Sequence, residues 1–253
     1  MADVLVGVQH DEGIRTLTLD SPANRNALSS ALLQQLEVAL RDATSDPDVR
    51  AVVLTGTGTV FCSGADLSER GAAAPSRMPA ILTSIVESAV PIIVRVNGHA
   101  RAGGIGLIAA ADMAVATKEA TFAFTEVRVG VAPAMILVPA LRVVDRRFLA
   151  CATLTGERFG AAEAVGAGLL TAVTPDEAAL DAWVADRTTA LRQAAPGAVR
   201  ATRELLRTLP AQTWAEGLAA AAVTSADLFA GAEAAEGMDA FLQKRRPSWD
   251  TTP

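Results

Sequence analysis

The chain has 253 residues, of which 51% are hydrophobic and 20% are charged, and its formal net charge is −6. This length suffices for one large core, and the acidic balance argues against a nucleic-acid partner, because phosphate binding needs a basic surface. No apolar run approaches the roughly twenty residues that span a bilayer. The start MADVLVGVQHDEG lacks the pattern of an export signal, so we expect a cytoplasmic protein without a membrane partner.

Cysteine and histidine are scarce, with two of each in the sequence. Cys62 and Cys151 cannot form a disulfide framework, and with His10 and His99 they are too few to predict a zinc site. The sequence motifs of serine hydrolases (G-x-S-x-G), phosphate-binding loops (G-x-x-x-x-G-K-[ST]) and zincins (H-E-x-x-H) are missing. We therefore expect no metal and a chemistry based on carboxylates and backbone amides.

The first third of the chain predicts a hairpin, a helix and a buried strand. Two β-rich segments, 4–9 and 14–20, flank a polar turn. Ser29 can cap the following helix, whose leucines recur at helical spacing to about Thr44. The apolar run 51–55 predicts a strand buried on both faces. The loop GTGTVFCSGADL follows it, where ligands usually bind in α/β folds.

The remaining elements divide the chain into an α/β part and a helical part. The small, polar segment 68–79 is expected to form a mobile loop, and a helix from about 78 to 89 leads into a strand at 92–96. The strand, loop and helix pattern thus occurs at least twice, which indicates βαβ-like units. Beyond Met135 the spacing of apolar residues predicts helices. They cover 136–142, 145–152, 161–166, 176–193, 198–208 and 211–230.

The stretch NGHARAGGIGLIAAADMAVATKEATFAFTEVRVGVAPAM contains the candidate site. Gly103 and Gly104 lead into a predicted short, buried helix, whose first N–H groups would lack internal partners and suit a developing negative charge. Glu126 stands in an apolar segment, where burial would favour its protonated form and allow it to carry a proton near neutral pH. Alternatively, the glycines only permit close packing, and Glu126 pairs with Arg128 or Lys118.

Six motifs spread in order over nearly the whole chain resemble the crotonase family, or enoyl-CoA hydratase/isomerase superfamily. They are SPANRNALS, VVLTGTGTVFCSGADL, NGHARAGGIGLIAAADMAVA, FAFTEVRVGVAPAM, LTGERFGAAEAVGAGLL and EGMDAFLQKRRPSW. The resemblance implies a crotonase-like α/β spiral of ββα units over residues 1–190, which carries an acyl-CoA site, and a C-terminal helical trimerisation region over 191–253. It also implies a homotrimer or dimer of trimers, and no cofactor other than the coenzyme A of the substrate.

The resemblance assigns roles to individual positions. The backbone N–H groups of Ala65 and Gly103 resemble the two donors that bind the thioester oxygen, and Glu126 resembles the catalytic acid/base. Two such donors stabilise an enolate, and losing one costs about 3 kcal/mol of barrier in other enzymes. The positions that resemble those binding CoA, the last two usually across a subunit boundary, are Ala23, Arg25, Ser63, Asp66, Leu67, Phe241 and Lys244.

One departure from the family pattern leaves the reaction open. Well-known hydratases of the family hold the attacking water with two glutamates, and the first of these positions falls here at Gly106. We predict a 2-enoyl-CoA hydratase with Glu126 as acid/base. The alternatives are a Δ3,Δ2-enoyl-CoA isomerase, in which Glu126 alone moves a proton between C2 and C4, and an acyl-CoA-binding homologue without activity.

Other residues near this stretch offer competing interpretations. Arg101 and His99 are candidates to replace the missing acid, and a second carboxylate on the acyl group is a candidate partner for Arg101. Surface and packing roles are the simpler interpretations. Asp112 is interpreted as structural. Gly104, Gly106 and Ala109 satisfy the G-x-G-x-x-A dinucleotide fingerprint. They do not lie near the start of a Rossmann unit, so an NAD-dependent enzyme is a distant alternative.

Overall fold

The structure is a computed structural model that describes residues 3–69, 77–250 and 252. The strands are Val6–Asp11 (β1), Ile14–Leu19 (β2), Ala51–Gly56 (β3), Val60–Cys62 (β4), Ile92–Val96 (β5), His99–Arg101 (β6), Met113–Thr117 (β7), Thr121–Ala123 (β8), Phe159–Gly160 (β9) and Ala172–Thr174 (β10). The α-helices are Ser30–Ser45 (α1), Met78–Val86 (α2), Gly103–Ala110 (α3), Ala134–Val143 (α4), Arg146–Thr155 (α5), Ala161–Gly166 (α6), Glu177–Gln193 (α7), Pro196–Thr208 (α8), Trp214–Phe229 (α9) and Ala232–Leu242 (α10). Of the loop predicted at 68–79, residues 70–76 lie outside the described part.

The larger sheet has the strand order β1-β2-β3-β5-β7-β10. Its first two strands form the predicted hairpin, which closes at the pair Asp11 and Ile14, and the other neighbours run parallel. β3 is buried as expected, since its residues from Ala51 to Leu54 are at most 4% exposed. Apolar side chains on both faces explain why this strand is a continuous hydrophobic run.

A second, smaller sheet has the order β4-β6-β8-β9. β4, β6 and β8 are parallel, and β9 is antiparallel to β8. Each of the three follows a strand of the larger sheet, as β4 follows β3, and each precedes a helix. This repetition is the predicted spiral of ββα units, and the predicted fold class is confirmed.

Several helix boundaries follow from caps and turns. Ser29 Oγ accepts from Leu32 N, so α1 begins where predicted. α2 ends at Val86, three residues before the predicted end. The Ser88 hydroxyl binds the backbone of Val90 there, in a turn that precedes a proline. The helix predicted at 211–230 begins at Trp214, because Thr213 forms a capping box with Glu216.

The C-terminal helices expose large apolar side chains. The last helix, α10, was not predicted; it is separated from α9 by a break at Gly231. Trp214 is 86% exposed and Phe241 83% exposed. Among the described helices no single one is long and apolar enough to cross a bilayer; α9 and α10 pass that test as a pair, by length and composition, with a 63° bend between them. The predicted division between residues 190 and 191 falls within α7 and stays a prediction.

Candidate active site

Three loops meet at one edge of the smaller sheet. Ala65 lies three residues beyond the end of β4, Gly103 two beyond β6, and Glu126 three beyond β8. The three strands are parallel neighbours with β6 in the centre, so their carboxyl ends point to the same edge. Because neighbouring strands lie about 4.8 Å apart, the outer two are about 10 Å from each other. The fold therefore places the loops that carry the three predicted catalytic positions at one edge of the smaller sheet, and their catalytic roles stay a prediction.

The Ala65 N–H group makes no backbone hydrogen bond among the described residues, and the contact that holds its loop explains why. Leu28 and Ala65 form a parallel β-bridge in which Leu28 N donates to Gly64 O at 2.8 Å. In a parallel bridge of this geometry, the strand opposite uses the groups of the flanking residues, here Gly64 and Asp66. The amide of Ala65 thus remains available to a ligand on this exposed loop.

Gly103 is the first residue of α3, so its N–H group has no acceptor within the helix and lies at the positive end of the helix dipole. Its loop packs tightly against the Ala65 loop. A Cβ built on Gly64 would lie 2.8 Å from Ala102 Cβ, and one built on Gly104 would lie 2.7 Å from Cys62 Cβ. Close packing therefore explains Gly104, whereas Gly103 combines close packing with an available amide.

Glu126 begins a 3-10 turn, Glu126–Val129, and is half-buried. Its Oε2 atom is buried and has no hydrogen-bond partner among the described residues. Burial raises the pKa of this carboxyl, partly offset by its own backbone N–H. Arg128 Nε donates to Thr155 O, and none of the ion pairs among the described residues joins Glu126 to Arg128 or Lys118. The carboxyl therefore has the environment of a proton carrier rather than of a surface ion pair.

Asp66, the other acid on these loops, has a different environment. Its Oδ1 atom accepts from Ser68 N at 2.9 Å and from Ser68 Oγ at 2.6 Å. These bonds lower the pKa of Asp66. Asp66 is therefore an ionised turn residue at neutral pH and is poorly suited to exchange protons.

The position of the missing acid is filled by an apolar side chain. A Cβ built on Gly106 would lie 2.5 Å from Ile136 Cγ2 and 3.4 Å from Met78 Cε. Ile136 belongs to α4 and is 4% exposed. The close approach of α3 and α4 leaves no room for a longer side chain at Gly106. The packing of these helices therefore excludes a carboxylate at this position.

His99, Arg101 and Asp112 are engaged in structural contacts. Arg101 Nη2 donates to Thr121 Oγ1 at 2.8 Å, and His99 Nδ1 accepts from Thr121 N at 3.2 Å. Burial, then Arg101 and an exposed neighbouring arginine, lower the pKa of His99. Asp112 Oδ2 accepts from Ile92 N and from Arg203 Nε. None of these contacts joins His99 or Arg101 to Glu126, as a substitute for the missing glutamate would require.

The residues predicted to bind CoA fall into two groups. Ser63 N donates to Arg25 O at 3.1 Å, which joins the first loop to the β4 loop; Leu67 on the latter is 60% exposed. This surface comprises Ala23, Arg25, Ser63, Asp66 and Leu67. Phe241 and Lys244 lie at the end of α10, and none of the hydrogen bonds or ion pairs found among the described residues joins them to that surface. Their contribution across a subunit boundary stays a prediction.

The dinucleotide fingerprint and a metal site find no structural counterpart among the described residues. Gly104, Gly106 and Ala109 are buried within α3, the first two against Cys62 and Ile136. A phosphate-binding turn would instead present its glycine amides to a ligand. No group of three or more His, Cys, Asp or Glu side chains in the described ranges could hold a metal ion.

Sequence reasoning missed three residues that shape this edge. Leu28 lies 2.7 Å from a Cβ built on Gly103, Ile136 fills the space beside Gly106, and Ala102 has φ 48° and ψ −119° just before Gly103. In the sequence, Ile136 is an ordinary apolar residue of a predicted helix and Leu28 an ordinary loop residue, so neither indicates a role in the site. Ala102 gave no signal, because its backbone conformation is one that usually calls for glycine.

The fold and this edge define an α/β protein of ββα units, in which a half-buried glutamate and two available backbone amides follow neighbouring strands of one sheet. A family model described as enoyl-CoA hydratase/isomerase matches residues 9–252. The chain belongs to this family, which acts on acyl-CoA thioesters.

Relatives of known sequence and structure agree with this assignment. A putative enoyl-CoA hydratase of Thermus thermophilus is 36% identical over 251 residues, which cover 95% of this chain and 99% of the relative. A 2,3-dehydroadipyl-CoA hydratase of Escherichia coli is 31% identical, with 98% and 99% of the two chains covered. The crystal structure of a Mycobacterium smegmatis enoyl-CoA hydratase matches with a TM-score of 0.92 and 35% identity, over 98% of this chain and all of the other.

Proposed function

We propose that the protein is an enoyl-CoA hydratase that adds water across the 2,3 double bond of a 2-enoyl-CoA thioester. The observation that supports the proposal is that the loops carrying Ala65, Gly103 and Glu126 follow three neighbouring parallel strands and so lie at the same edge of the smaller sheet. Hydration requires these two functions together, a base for water and donors for the thioester oxygen. The hydratases among the relatives favour this reaction.

In the proposed mechanism the thioester oxygen accepts hydrogen bonds from Ala65 N–H and Gly103 N–H. Glu126 takes a proton from water as the water oxygen attacks C3, and negative charge develops on the thioester oxygen. The two fixed donors stabilise this charge without reorganisation. Glu126 then returns the proton to C2. Its raised pKa makes the protonated form a reachable intermediate at neutral pH, as general acid/base catalysis requires.

The surface formed by the first loop and the β4 loop, from Ala23 to Leu67, would hold the CoA nucleotide. Phe241 and Lys244 would complete it from a neighbouring subunit in a homotrimer or a dimer of trimers. The reaction needs no cofactor beyond the coenzyme A of the substrate, and we propose a cytoplasmic location.

The test replaces Glu126 by glutamine, which keeps the shape and removes the proton carrier. With crotonyl-CoA and 3-methylglutaconyl-CoA as substrates, loss of the 2-enoyl absorbance should slow by about 10²–10⁴-fold in Glu126→Gln, while the affinity for CoA thioesters is retained. Glu119→Gln, at an exposed glutamate in the β7–β8 turn, is the matched control and should keep full activity. Equal turnover by Glu126→Gln and the unaltered protein would remove Glu126 as the base.

One observation favours a second candidate, a Δ3,Δ2-enoyl-CoA isomerase. Ile136 fills the space at Gly106, so Glu126 would act without the second glutamate of the two-acid hydratases. Moving a proton from C4 to C2 needs a single carboxylate. Gain of 2-enoyl absorbance from 3-hexenoyl-CoA, without hydration of crotonyl-CoA, would assign the isomerase. Binding of CoA thioesters without either reaction would instead indicate the non-catalytic homologue.

A further inference from the structure

Ala102 forms the whole connection between a strand and a helix. β6 ends at Arg101 and α3 begins at Gly103, so the chain changes direction at a single residue. Ala102 does so with φ 48° and ψ −119°. A Cβ makes this left-handed region unfavourable, and residues other than glycine stay there only when their surroundings enforce it. Such strained residues cluster at functional sites.

The contacts of Ala102 reach all three loops of the candidate site. Its N–H donates to Ala123 O at 3.1 Å, on the strand that leads to Glu126, and its carbonyl accepts from Ile105 N at 2.9 Å. Its methyl group packs against Gly64, where an added Cβ would lie 2.8 Å from Ala102 Cβ. Gly64 directly precedes Ala65, and Gly103 directly follows Ala102. Ala102 thus contacts or adjoins the segments that carry Ala65, Gly103 and Glu126, the three residues proposed to act on the thioester.

The geometry has a counterpart in the strand–turn–helix elbow of α/β-hydrolases, in which a strained residue precedes an N–H group of the oxyanion hole. In that elbow the strained residue is the nucleophile. Here it is alanine, whose methyl group has no reactive atom, and what remains is the effect of the strained backbone on the direction of the next N–H group. This effect suits a reaction in which the amides stabilise charge and no residue attacks the substrate.

We propose that Ala102 is the positioning residue of the oxyanion hole. Its strained backbone directs the Gly103 N–H, and its methyl group sets the distance of the Gly64–Ala65 loop from that amide. The inference rests on the proposed function, because it concerns the same two donors. It adds a residue outside the reacting groups whose replacement should change the polarisation of the thioester rather than the binding of CoA.

The first test is kinetic and uses Ala102→Gly, which removes the methyl group and frees the backbone. With crotonyl-CoA we expect kcat to fall about tenfold through misplacement of the donors, with KM changed by less than about twofold and a thermal midpoint that does not fall. Ala102→Ser keeps a Cβ, and hence the restriction, and should retain at least about half of kcat. Glu12→Gly is the matched control, since Glu12 also has a positive φ of 45° but lies in the β1–β2 turn; it should leave kcat unchanged.

The second test measures polarisation directly. Butyryl-CoA labelled with ¹³C at the thioester carbonyl has no double bond to hydrate, and N–H donors lower its carbonyl stretching frequency on binding. We expect a clear downshift in the unaltered protein and in Ala102→Ser, and a smaller one in Ala102→Gly.

Equal downshifts and equal kcat in Ala102→Gly and the unaltered protein would overturn the inference alone. A reduced kcat with an unchanged downshift and a lower thermal midpoint would also overturn it, as a packing defect. No downshift in the unaltered protein would overturn the oxyanion hole and the proposed function with it.

Discussion

At the scale of single residues, Glu126 differs from the other acids because its buried Oε2 atom lacks a hydrogen-bond partner among the described residues. Asp66 and Asp112, by contrast, accept hydrogen bonds from Ser68 and from Ile92 and Arg203. An unsatisfied buried carboxyl costs folding free energy when it is charged. Active sites often contain groups that lower the stability of the protein but are needed for activity, and Glu126 fits this pattern.

The raised pKa of Glu126 predicts opposite effects of pH on activity and on stability. Activity should fall in acid with an inflection above the ordinary value of 4.5, because the base must be ionised. A pKa that is raised in the folded state means that the stability contributed by the protonated form is present below 4.5 and is lost as pH rises through the folded pKa. Glutamine does not titrate, so Glu126→Gln should be more stable than the unaltered protein at pH 7, and this difference should shrink toward pH 4.5.

The measurement is the denaturation midpoint of both proteins at several pH values, beside the pH profile of kcat/KM. A stability difference between Glu126→Gln and the unaltered protein that stays constant with pH would contradict the assigned pKa shift. The Glu119→Gln control should follow the unaltered protein throughout, since Glu119 is exposed.

At the scale of elements, the site depends on how closely α3 approaches its neighbours. α3 is buried from Gly104 to Ala110, and its glycines allow contact with Cys62 on β4 and Ile136 on α4. The C-terminal end of α2 is held by Arg203 of α8, which donates to Ile85 O and Val86 O and pairs with Asp112. Helix positions thus set the walls of the site.

The contact between α3 and α4 predicts that Gly106→Ala is destabilising. The added Cβ would meet Ile136 Cγ2 at 2.5 Å, and overpacking of this kind costs about 1–3 kcal/mol, against about 1 kcal/mol gained in helix propensity. Ile136→Leu removes the branch at Cβ that causes the clash. A double-mutant cycle in urea should show that Gly106→Ala costs less in the Ile136→Leu background. Additive effects would show that the clash is relieved elsewhere.

The tether between α8 and α2 predicts a large effect of Arg203→Met. Methionine keeps the apolar stem but leaves the Asp112 charge and the carbonyls of Ile85 and Val86 without their donor. We expect a loss of about 2–3 kcal/mol in the free energy of unfolding, mainly because buried carbonyl groups lose the donor that satisfies them. Arg207→Met, on the same helix and in an exposed pair with Glu204, should have little effect. Similar losses from both variants would contradict a specific tether.

At the scale of the whole molecule, the C-terminal helices expose several large apolar side chains. They include Trp214, Leu218, Val223, Phe229, Phe241 and Leu242, each more than 60% exposed. Apolar surface of this extent usually marks an interface. The predicted homotrimer or dimer of trimers would bury it, and would also bring Phe241 and Lys244 of one subunit toward the site of another.

We predict that Phe229→Glu weakens the assembly, because it places a charge on a side chain that is 71% exposed in the single chain. Sedimentation velocity should show trimers or hexamers of the unaltered protein and smaller species of the variant. Val38→Glu, on α1 at a side chain that is 40% exposed, is the matched control and should assemble normally. A monomeric unaltered protein at micromolar concentration would contradict the predicted oligomer.

The sequence by itself determined the elements whose pattern is local and the residue types of the chemistry. The alternation around the β1–β2 hairpin, the leucine spacing of α1 and the apolar run of β5 at 92–96 record preferences that act within a few residues. The resemblance of its motifs identified the family, and the isolation of Glu126 in an apolar segment indicated its raised pKa.

Only the tertiary structure decided how these parts meet. The strands of the smaller sheet, such as β4 and β6, have two or three residues each, too few for a periodic pattern, and are formed by pairing with strands distant in sequence. The strained backbone of Ala102 and the filling of the space at Gly106 by Ile136 likewise depend on contacts between distant segments. Local sequence records what a residue prefers, whereas the geometry of this site depends on neighbours that folding alone brings into contact.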